Sequence, residues 1–262
     1  MGNISKLAII EDGAQIGEDV SIGANCFISK DATIGSGTAI AHGACIYGKT
    51  TIGKNNKIFS YAVIGSIPQD LKFDGEDVEL IIGENNTIRE FTLFNPGTEG
   101  GGGITRIGSN NLFMGYVHLG HDVIIGDNCV LANAATIAGH VEIGNYVVIG
   151  GVSPVHQFVK IGDYAMIGGA SAVAQDIPPY MLAEGNRAKI KGLNLAGLRR
   201  RLDRSEINLL KRSYNQLFRS NRALKQSAQE LLDAQTDMHT EKICKFILDS
   251  TRGVPFNRSS TC

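Results

Sequence analysis

The stretch "ATIGSGTAIAHGACIYGKTTIG", residues 32–53, places isoleucine at every sixth position. A period of six fits neither the 3.6-residue period of a helix nor the alternation of a simple strand. It predicts a short strand plus a turn, repeated so that one apolar side chain per unit points inward. The apolar ladder holds Ile10, Ile16, Ile22, Ile28, Ile34, Ile40, Ile46, Ile52, Ile58, Ile64, Ile82, Ile88, Ile107, Phe113, Leu119, Ile125, Leu131, Ile137, Ile143, Ile149, Val155, Ile161, Ile167 and Val173.

Three such units close a triangular coil of about 18 residues, whose stacked copies pair like strands of a sheet. The pattern resembles the hexapeptide-repeat left-handed parallel β-helix, and the handedness follows from that resemblance because periodicity alone does not set it. A generic β-solenoid is the alternative. The sequence predicts an all-β solenoid over residues 1–179, followed by a small α-helical C-terminal domain over residues 180–262.

Two interruptions break the repeat, and both are too long for turns. Residues 66–80 read "SIPQDLKFDGEDVEL" and residues 95–106 read "NPGTEGGGGITR". Both are predicted to loop out of the coil, the second as a loose, glycine-rich and mobile segment. A phosphate cradle is the other interpretation of "EGGGG", but no strand–loop–helix context supports it.

The helical part begins after Pro178 and Pro179, a strong boundary signal. Ser205 followed by Glu206 suits a helix start. Further helices are predicted over about 223–235 and 240–250. The predicted apolar face of the first helix holds Ile207, Leu210, Tyr214 and Leu217.

Composition indicates a soluble globular protein of 262 residues, with 43% hydrophobic residues and a net charge of −1. The five cysteines lack metal or disulfide spacing, which fits a reducing cytosol. Neither a signal peptide nor an 18-residue apolar run is present, so we expect a cytoplasmic protein without an integral membrane segment. Residues 1–179 hold 9 basic and 18 acidic residues, and residues 180–262 hold 16 basic and 8 acidic residues. The basic part is therefore expected to face an acidic partner.

Four of the six histidines converge on one strip of the predicted coil. In "YVHLGHD", residues 116–122, the pair His121-Asp122 follows His118. One 18-residue coil after Asp122 stands His140, and two coils after His121 stands Gln157, beside His156. Successive coils lie about 4.8 Å apart. These side chains are therefore predicted to stack on one ridge.

Two chemistries suit such a ridge. Imidazoles one coil apart can share a zinc ion, as in trimeric β-helical carbonic anhydrases. Alternatively, a neutral imidazole oriented by a carboxylate can take a proton from a hydroxyl or an amine. Acyl transfer would also need an oxyanion donor, and the N–H of Gly139 lies one coil from His121. A non-catalytic assembly subunit gives no reason to stack four histidines.

The chain is similar along essentially its whole length to the acyl-ACP–UDP-N-acetylglucosamine O-acyltransferases. The shared motifs are the hexads, "PQDLKF", "VHLGHD", "LANAATIAGHVEIG", "GGVSPVHQF", "AQDIPPYMLAEGNRA" and "GLRRR". The resemblance implies transfer of a 3-hydroxyacyl chain from acyl carrier protein to the 3-position of UDP-N-acetylglucosamine, or of its 3-amino analogue, as the first step of lipid A biosynthesis. It also implies a homotrimer, with no cofactor, metal or nucleic acid.

The resemblance assigns roles to single residues. His121 would be the general base, Asp122 its orienting partner and Gly139 the oxyanion donor. Asp70 and Lys72 would contact the sugar and diphosphate, with Lys72 reaching across a subunit boundary. Gly169 would limit the acyl chain length. The remaining substrate-binding residues would be His118, His140, His156 and Gln157 along the cleft, and Asn194 and Arg200 at the nucleotide.

The chain departs from the family pattern at two places. Asn95-Pro96 replaces a common histidine–arginine pair, which leaves open whether a 3-hydroxyl or a 3-amine is acylated. Ala196 stands where a glutamate near the uracil is common. The alternative enzyme, an N-acyltransferase acting later on UDP-3-acylglucosamine, usually has an additional N-terminal domain, whereas here the hexads begin by residue 10.

Overall fold

The computed structural model describes residues 2–256. Up to residue 167 the chain consists of two- and four-residue strands joined by tight turns, apart from two longer insertions. The strands are β1 (Ile9–Ile10), β2 (Gln15–Ile16), β3 (Ser21–Ile22), β4 (Phe27–Ile28), β5 (Thr33–Ile34), β6 (Ala39–Ile40), β7 (Cys45–Ile46), β8 (Lys49–Ile52), β9 (Lys57–Ile58), β10 (Val63–Ile64), β11 (Glu79–Ile82), β12 (Thr87–Ile88), β13 (Leu93–Phe94), β14 (Ile104–Ile107), β15 (Leu112–Phe113), β16 (His118–Leu119), β17 (Ile124–Ile125), β18 (Val130–Leu131), β19 (Thr136–Ile137), β20 (Glu142–Ile143), β21 (Val148–Ile149), β22 (Pro154–Val155), β23 (Lys160–Ile161) and β24 (Met166–Ile167).

Every third strand pairs in parallel, which makes a three-sided solenoid. The first sheet begins β1-β4-β7, the second β2-β5-β8, and the third contains β3-β6-β9. Ile10 pairs with Ile28, and Ile28 with Ile46, so one coil takes 18 residues where no insertion intervenes. The prediction of a left-handed parallel β-helix is confirmed.

The apolar ladder forms the core of the solenoid. Its members are almost all buried from Ile22 to Val173, and Phe94 and Leu80 join them. Each fully buried isoleucine or leucine stabilises the fold by about 1.5–3 kcal/mol. The strands stay short because a residue with positive φ turns the chain at most corners, as Asp122, His140 and Phe158 do.

The three corners of the solenoid have different chemistry. We name the turn from the first to the second sheet the first corner, and it carries Asp122 and His140. The second corner, from the second to the third sheet, carries the stacked rings of Tyr146 and Tyr164. The third corner, from the third sheet back to the first, carries Gly169.

Both insertions leave the solenoid at the first corner, because they follow β10 and β13 of the first sheet and precede β11 and β14 of the second. They are shorter than predicted, since β11 begins at Glu79 and β14 at Ile104. The second insertion, residues 95–103, contains a 3₁₀ helix, Glu99–Gly101. It is also not loose, because buried Thr98 holds it against the solenoid.

The sequence predicts a helical region from residue 180, but the structure has two further strands before the first helix. β25 (Met181–Glu184) extends the third sheet in parallel with β24, and β26 (Lys189–Leu193) pairs antiparallel with β25. Both strands continue the solenoid wall and cover its end. The helices that follow are α1 (Leu195–Leu198), α2 (Arg204–Phe218), α3 (Leu224–Asp233) and α4 (Met238–Asp249).

The first long helix, α2, starts one residue before the predicted Ser205, because Asp203 is its N-cap. The Asp203 side chain accepts from the N–H of Glu206, whose carboxylate accepts from the N–H of Asp203. The helical region packs on the solenoid through Tyr180, whose hydroxyl lies 3.0 Å from Nδ1 of buried His239 on α4. Burial raises the pKa of the Tyr180 hydroxyl far above its ordinary value.

The last six residues of the predicted helical domain, 257–262, lie outside the described residues, and Cys262 is among them. Among residues 2–256, none of the helices has both the length and the hydropathy to cross a membrane.

Candidate active site

The predicted ridge of histidines lies on the first corner, directly above the two insertions. The rings of His121 and His140 meet edge to face, with centroids 4.9 Å apart. His140 then stacks flat on Phe158, at a centroid distance of 4.4 Å. Phe158 therefore continues this column of rings, in place of His156, which is exposed beside it. The spacing of 18 residues from His140 leads to Phe158, so the repeat itself contains the signal for this stacking.

The imidazole of His121 is fixed by the carboxylate of Asp122. Nδ1 of His121 lies 2.7 Å from Oδ2 of Asp122, and the Asp122 side chain is almost fully buried. An ionised carboxylate only accepts hydrogen bonds, so Nδ1 donates and the neutral ring keeps its lone pair on Nε2. The His121 side chain is 16% exposed. The Asp122 carboxylate thus fixes the tautomer of His121 and leaves Nε2 as the unprotonated nitrogen of the neutral ring.

Asp122 is held in turn by Thr98 of the second insertion. The Thr98 N–H donates to Oδ1 of Asp122 at 2.9 Å, and its hydroxyl donates to Oδ2 at 2.6 Å. Sequence analysis missed Thr98, because an insertion has no fixed spacing to the repeat. Only the folded structure brings residues 98 and 122 together.

Two glycines leave the space that the side chains of His121 and Asp122 occupy. A Cβ at Gly139 would lie 2.6 Å from Cε1 and Nε2 of His121, so the imidazole packs where a side chain would stand. A Cβ at Gly101 would overlap the carboxylate of Asp122. Among the described residues, none accepts a hydrogen bond from the buried N–H of Gly139. This amide therefore remains free to donate to a ligand beside His121.

The neighbouring histidines are shifted towards their neutral forms. Burial lowers the pKa of His118, whose Nδ1 lies 3.2 Å from the carbonyl oxygen of Leu93. Burial also lowers the pKa of His140, and Asp122, at 3.8 Å from its Nδ1, opposes that shift. His156 and Gln157 are both exposed on the same corner. The corner therefore offers several hydrogen-bonding side chains around the buried carboxylate of Asp122.

His121, Asp122 and His140 are also close enough together to be considered as metal ligands, with ligand atoms within 4.8 Å. Two ligand atoms of one tetrahedral zinc ion lie about 3.3 Å apart, given zinc–nitrogen bonds of about 2.0 Å. Nδ1 of His121 and Oδ2 of Asp122 are closer than this, at hydrogen-bond distance. Thr98 occupies the same carboxylate oxygen. The geometry favours a hydrogen-bonded network over a shared ion.

The first insertion brings a second carboxylate to the open side of His121. Oδ2 of Asp70 lies 4.0 Å from Nε2 of His121 in the same chain. Lys72 is exposed beside it, and its N–H donates to Oδ1 of Asp70. Asn95 anchors the start of this insertion by donating to the carbonyl oxygens of Ser66 and Ile67.

The predicted nucleotide residues lie at the second corner. The Asn194 side chain caps α1 by accepting from the N–H of Gly197, and it donates to the carbonyl oxygen of Tyr164 at 2.9 Å. Arg200 is exposed, and the guanidinium of the adjacent Arg201 lies over the ring of Tyr146. His121 stands at the first corner, so these residues and His121 lie at different corners of the solenoid of one chain.

Gly169 lies at the third corner and is exposed. A Cβ there would make ordinary contacts with Gly151, at 3.6 Å from its carbonyl oxygen and 3.9 Å from its nitrogen. The backbone therefore has room for a side chain at this position. The three groups of predicted residues, at His121, Arg200 and Gly169, occupy three different corners.

Comparison with known proteins gives consistent matches. Residues 176–255 match the family model described as domain 2 of the UDP N-acetylglucosamine O-acyltransferases, and residues 104–139 match the bacterial transferase hexapeptide model. The acyl-[acyl-carrier-protein]–UDP-N-acetylglucosamine O-acyltransferase of Sulfurimonas denitrificans is 66% identical over 98% of this chain and 99% of its own length. The enzyme of the same name from Aliarcobacter butzleri is 61% identical over 98% of this chain and 100% of its own.

Solved structures agree with these matches. The UDP-N-acetylglucosamine acyltransferase from Campylobacter jejuni is 50% identical, covers 98% of this chain and 100% of its own, and superposes with a TM-score of 0.94. Such identity over nearly the full length of both chains extends beyond the shared repeat to the insertions and the helical region. The chain belongs to the family of acyl-[acyl-carrier-protein]–UDP-N-acetylglucosamine O-acyltransferases.

Proposed function

We propose that the protein transfers a 3-hydroxyacyl chain from acyl carrier protein to the 3-position of UDP-N-acetylglucosamine or its 3-amino analogue, with His121 as general base. The single observation that carries the proposal is the buried Asp122 carboxylate behind Nδ1 of His121. It leaves Nε2 as the proton acceptor on the open side of the ring. The names of the relatives supply the acyl donor and the acceptor.

The transfer follows from this geometry in two steps. Nε2 of His121 takes the proton of the acceptor hydroxyl or amine, while that atom bonds to the thioester carbonyl carbon. The Gly139 N–H donates to the oxyanion of the tetrahedral intermediate, and Asp122 stabilises the imidazolium. The intermediate then collapses, the carbon–sulfur bond breaks, and the imidazolium returns its proton to the leaving thiolate.

Neighbouring residues bind the acceptor. Asp70, 4.0 Å from Nε2, is suited to accept from a sugar hydroxyl beside the reacting atom. Exposed Lys72 next to it is suited to the diphosphate. The side chains of His118, His140, His156 and Gln157 complete the sugar-nucleotide cleft.

The acyl donor matches the charge of the helical region. Acyl carrier proteins are strongly acidic, and residues 180–262 hold twice as many basic as acidic residues. Charge complementarity of this kind mainly accelerates and orients encounter. We assign the reaction to the first step of lipid A biosynthesis, in the cytoplasm.

A complete site requires more than one copy of the chain. Arg200 and the N-cap Asn194 belong to the second corner and Gly169 belongs to the third, so we assign them to the His121 site of a neighbouring copy. A homotrimer with its sites between subunits meets this requirement. Lys72 is different, since Asp70 brings its insertion to His121 of the same chain.

The proposal is tested by mass spectrometry of the product formed from 3-hydroxyacyl-ACPs with UDP-N-acetylglucosamine or its 3-amino analogue. An acyl-sugar nucleotide with one 3-linked acyl group is expected. The His121→Ala variant should lower kcat by about 10²–10⁴ while its circular dichroism stays that of the wild type. Full turnover without His121 would contradict the base assignment. Turnover of neither acceptor would contradict the reaction.

A further inference from the structure

The Thr98 hydroxyl has an unusual use within its own turn. Thr98 is the N-cap of the 3₁₀ helix Glu99–Gly101, where a threonine side chain ordinarily accepts from a backbone N–H of the helix. Here the side chain makes no capping bond. Its hydroxyl instead donates to Asp122, 24 residues away in the chain. The second insertion is therefore tied to the carboxylate behind His121.

The two bonds from Thr98 fix the plane of that carboxylate. Its N–H and its hydroxyl bind different oxygens, at 2.9 and 2.6 Å, and this prevents rotation of the Asp122 carboxyl group. Oδ2 receives both the Thr98 hydroxyl and Nδ1 of His121. Rotation of the carboxyl group would move Oδ2 away from Nδ1. Thr98 and Asp122 are both nearly fully buried, so water does not readily replace a lost donor.

From this geometry we propose that Thr98 is a positioning residue for catalysis, which acts on His121 through Asp122. The inference rests on the proposed function, in which His121 is the base. Thr98 is buried and its hydroxyl is already bonded to the carboxylate, so it serves the base and not substrate binding. Its loss should lower kcat and leave KM unchanged.

The test compares Thr98→Val, which removes the hydroxyl at nearly constant shape, with Thr98→Ser, which keeps it. A hydrogen bond to a charged group is strong enough that Thr98→Val should lower kcat about tenfold to a hundredfold. Thr98→Ser should recover most of the rate. Thr105→Val is the matched control, because Thr105 is equally buried on the following strand and its hydroxyl has no partner among the described residues.

A double-mutant cycle tests the route through Asp122. In an Asp122→Asn background, Thr98→Val should cost less than about threefold, since the carboxylate it positions is already gone. A full, additive loss there would overturn the inference. So would a loss that Thr98→Ser fails to recover or that Thr105→Val reproduces. An unchanged kcat in Thr98→Val, with His121→Ala inactive, would overturn the inference and leave the proposed function standing.

Discussion

The candidate site depends on its glycine residues as much as on its polar side chains. The imidazole of His121 lies against the bare α-carbon of Gly139, and the N–H of Gly139 has no acceptor among the described residues. Any side chain at position 139 would push the ring away from Asp122. Position 169 is different, because a side chain there would meet only ordinary contacts.

Gly169→Met should therefore fold normally and shorten the preferred acyl chain. If position 169 limits the groove, methionine fills space for several methylene groups, and each one left unburied forfeits about 0.8 kcal/mol. The measurement is kcat/KM across a series of 3-hydroxyacyl-ACPs. Gly192→Met is the control, since a Cβ at Gly192 meets no atom of residues 2–256 within 4 Å. An unchanged preference in Gly169→Met would assign chain-length selection to another residue.

The second insertion contacts Asp122 through Thr98 and through the backbone of its 3₁₀ helix. Gly100 and Gly101 are neighbours in its 3₁₀ helix and have very different surroundings. Within the described part of the chain, a Cβ at Gly100 meets nothing within 4 Å, whereas one at Gly101 overlaps the Asp122 carboxylate. The glycine-rich composition suggests mobility, but at position 101 the glycine is required because the Asp122 carboxylate packs against it.

Gly101→Ala should consequently lower kcat at least tenfold, because the insertion or the carboxylate must shift. An increase of about 1.4 kcal/mol in the activation free energy is enough for a tenfold effect. Gly100→Ala should leave kcat near the wild-type value. Steady-state kinetics of the two purified variants, with their melting temperatures, make the comparison. Equal activity of both variants would show that the insertion does not support Asp122.

The repeat and its interruptions differ in what sequence reveals. A period of six residues predicts the solenoid, its core and the approach of His140 to Asp122, because a coil without an insertion advances the chain by 18 residues. The same arithmetic leads to Phe158. It cannot place Thr98 or Asp70, since an insertion has no fixed register with the repeat. It also missed β25 and β26, which follow Pro178 and Pro179 and lie outside the period.

The residues proposed for the site are distributed over the three corners of the solenoid. His121 and Asp70 share one corner of one chain, at 4.0 Å between Nε2 and Oδ2. Arg200 follows Asn194 and α1 at the second corner, whereas His121 lies at the first. In a closed threefold assembly, each site would then combine the first corner of one subunit with the second corner of the next.

Mixing inactive chains distinguishes a pair of site residues that come from one chain from a pair that comes from two chains. A trimer assembled from equal amounts of His121→Ala and Arg200→Ala chains has both groups intact at about one quarter of its sites, so about a quarter of wild-type activity should return. His121→Ala mixed with Asp70→Ala should recover nothing beyond the residual activity of the parents, because a site that takes both residues from one chain is always damaged. The mixtures are unfolded and refolded together, and activity is measured per chain. Recovery in the second mixture would show that the first insertion serves a neighbouring subunit. No recovery in the first would show that Arg200 of one subunit does not complete the His121 site of another.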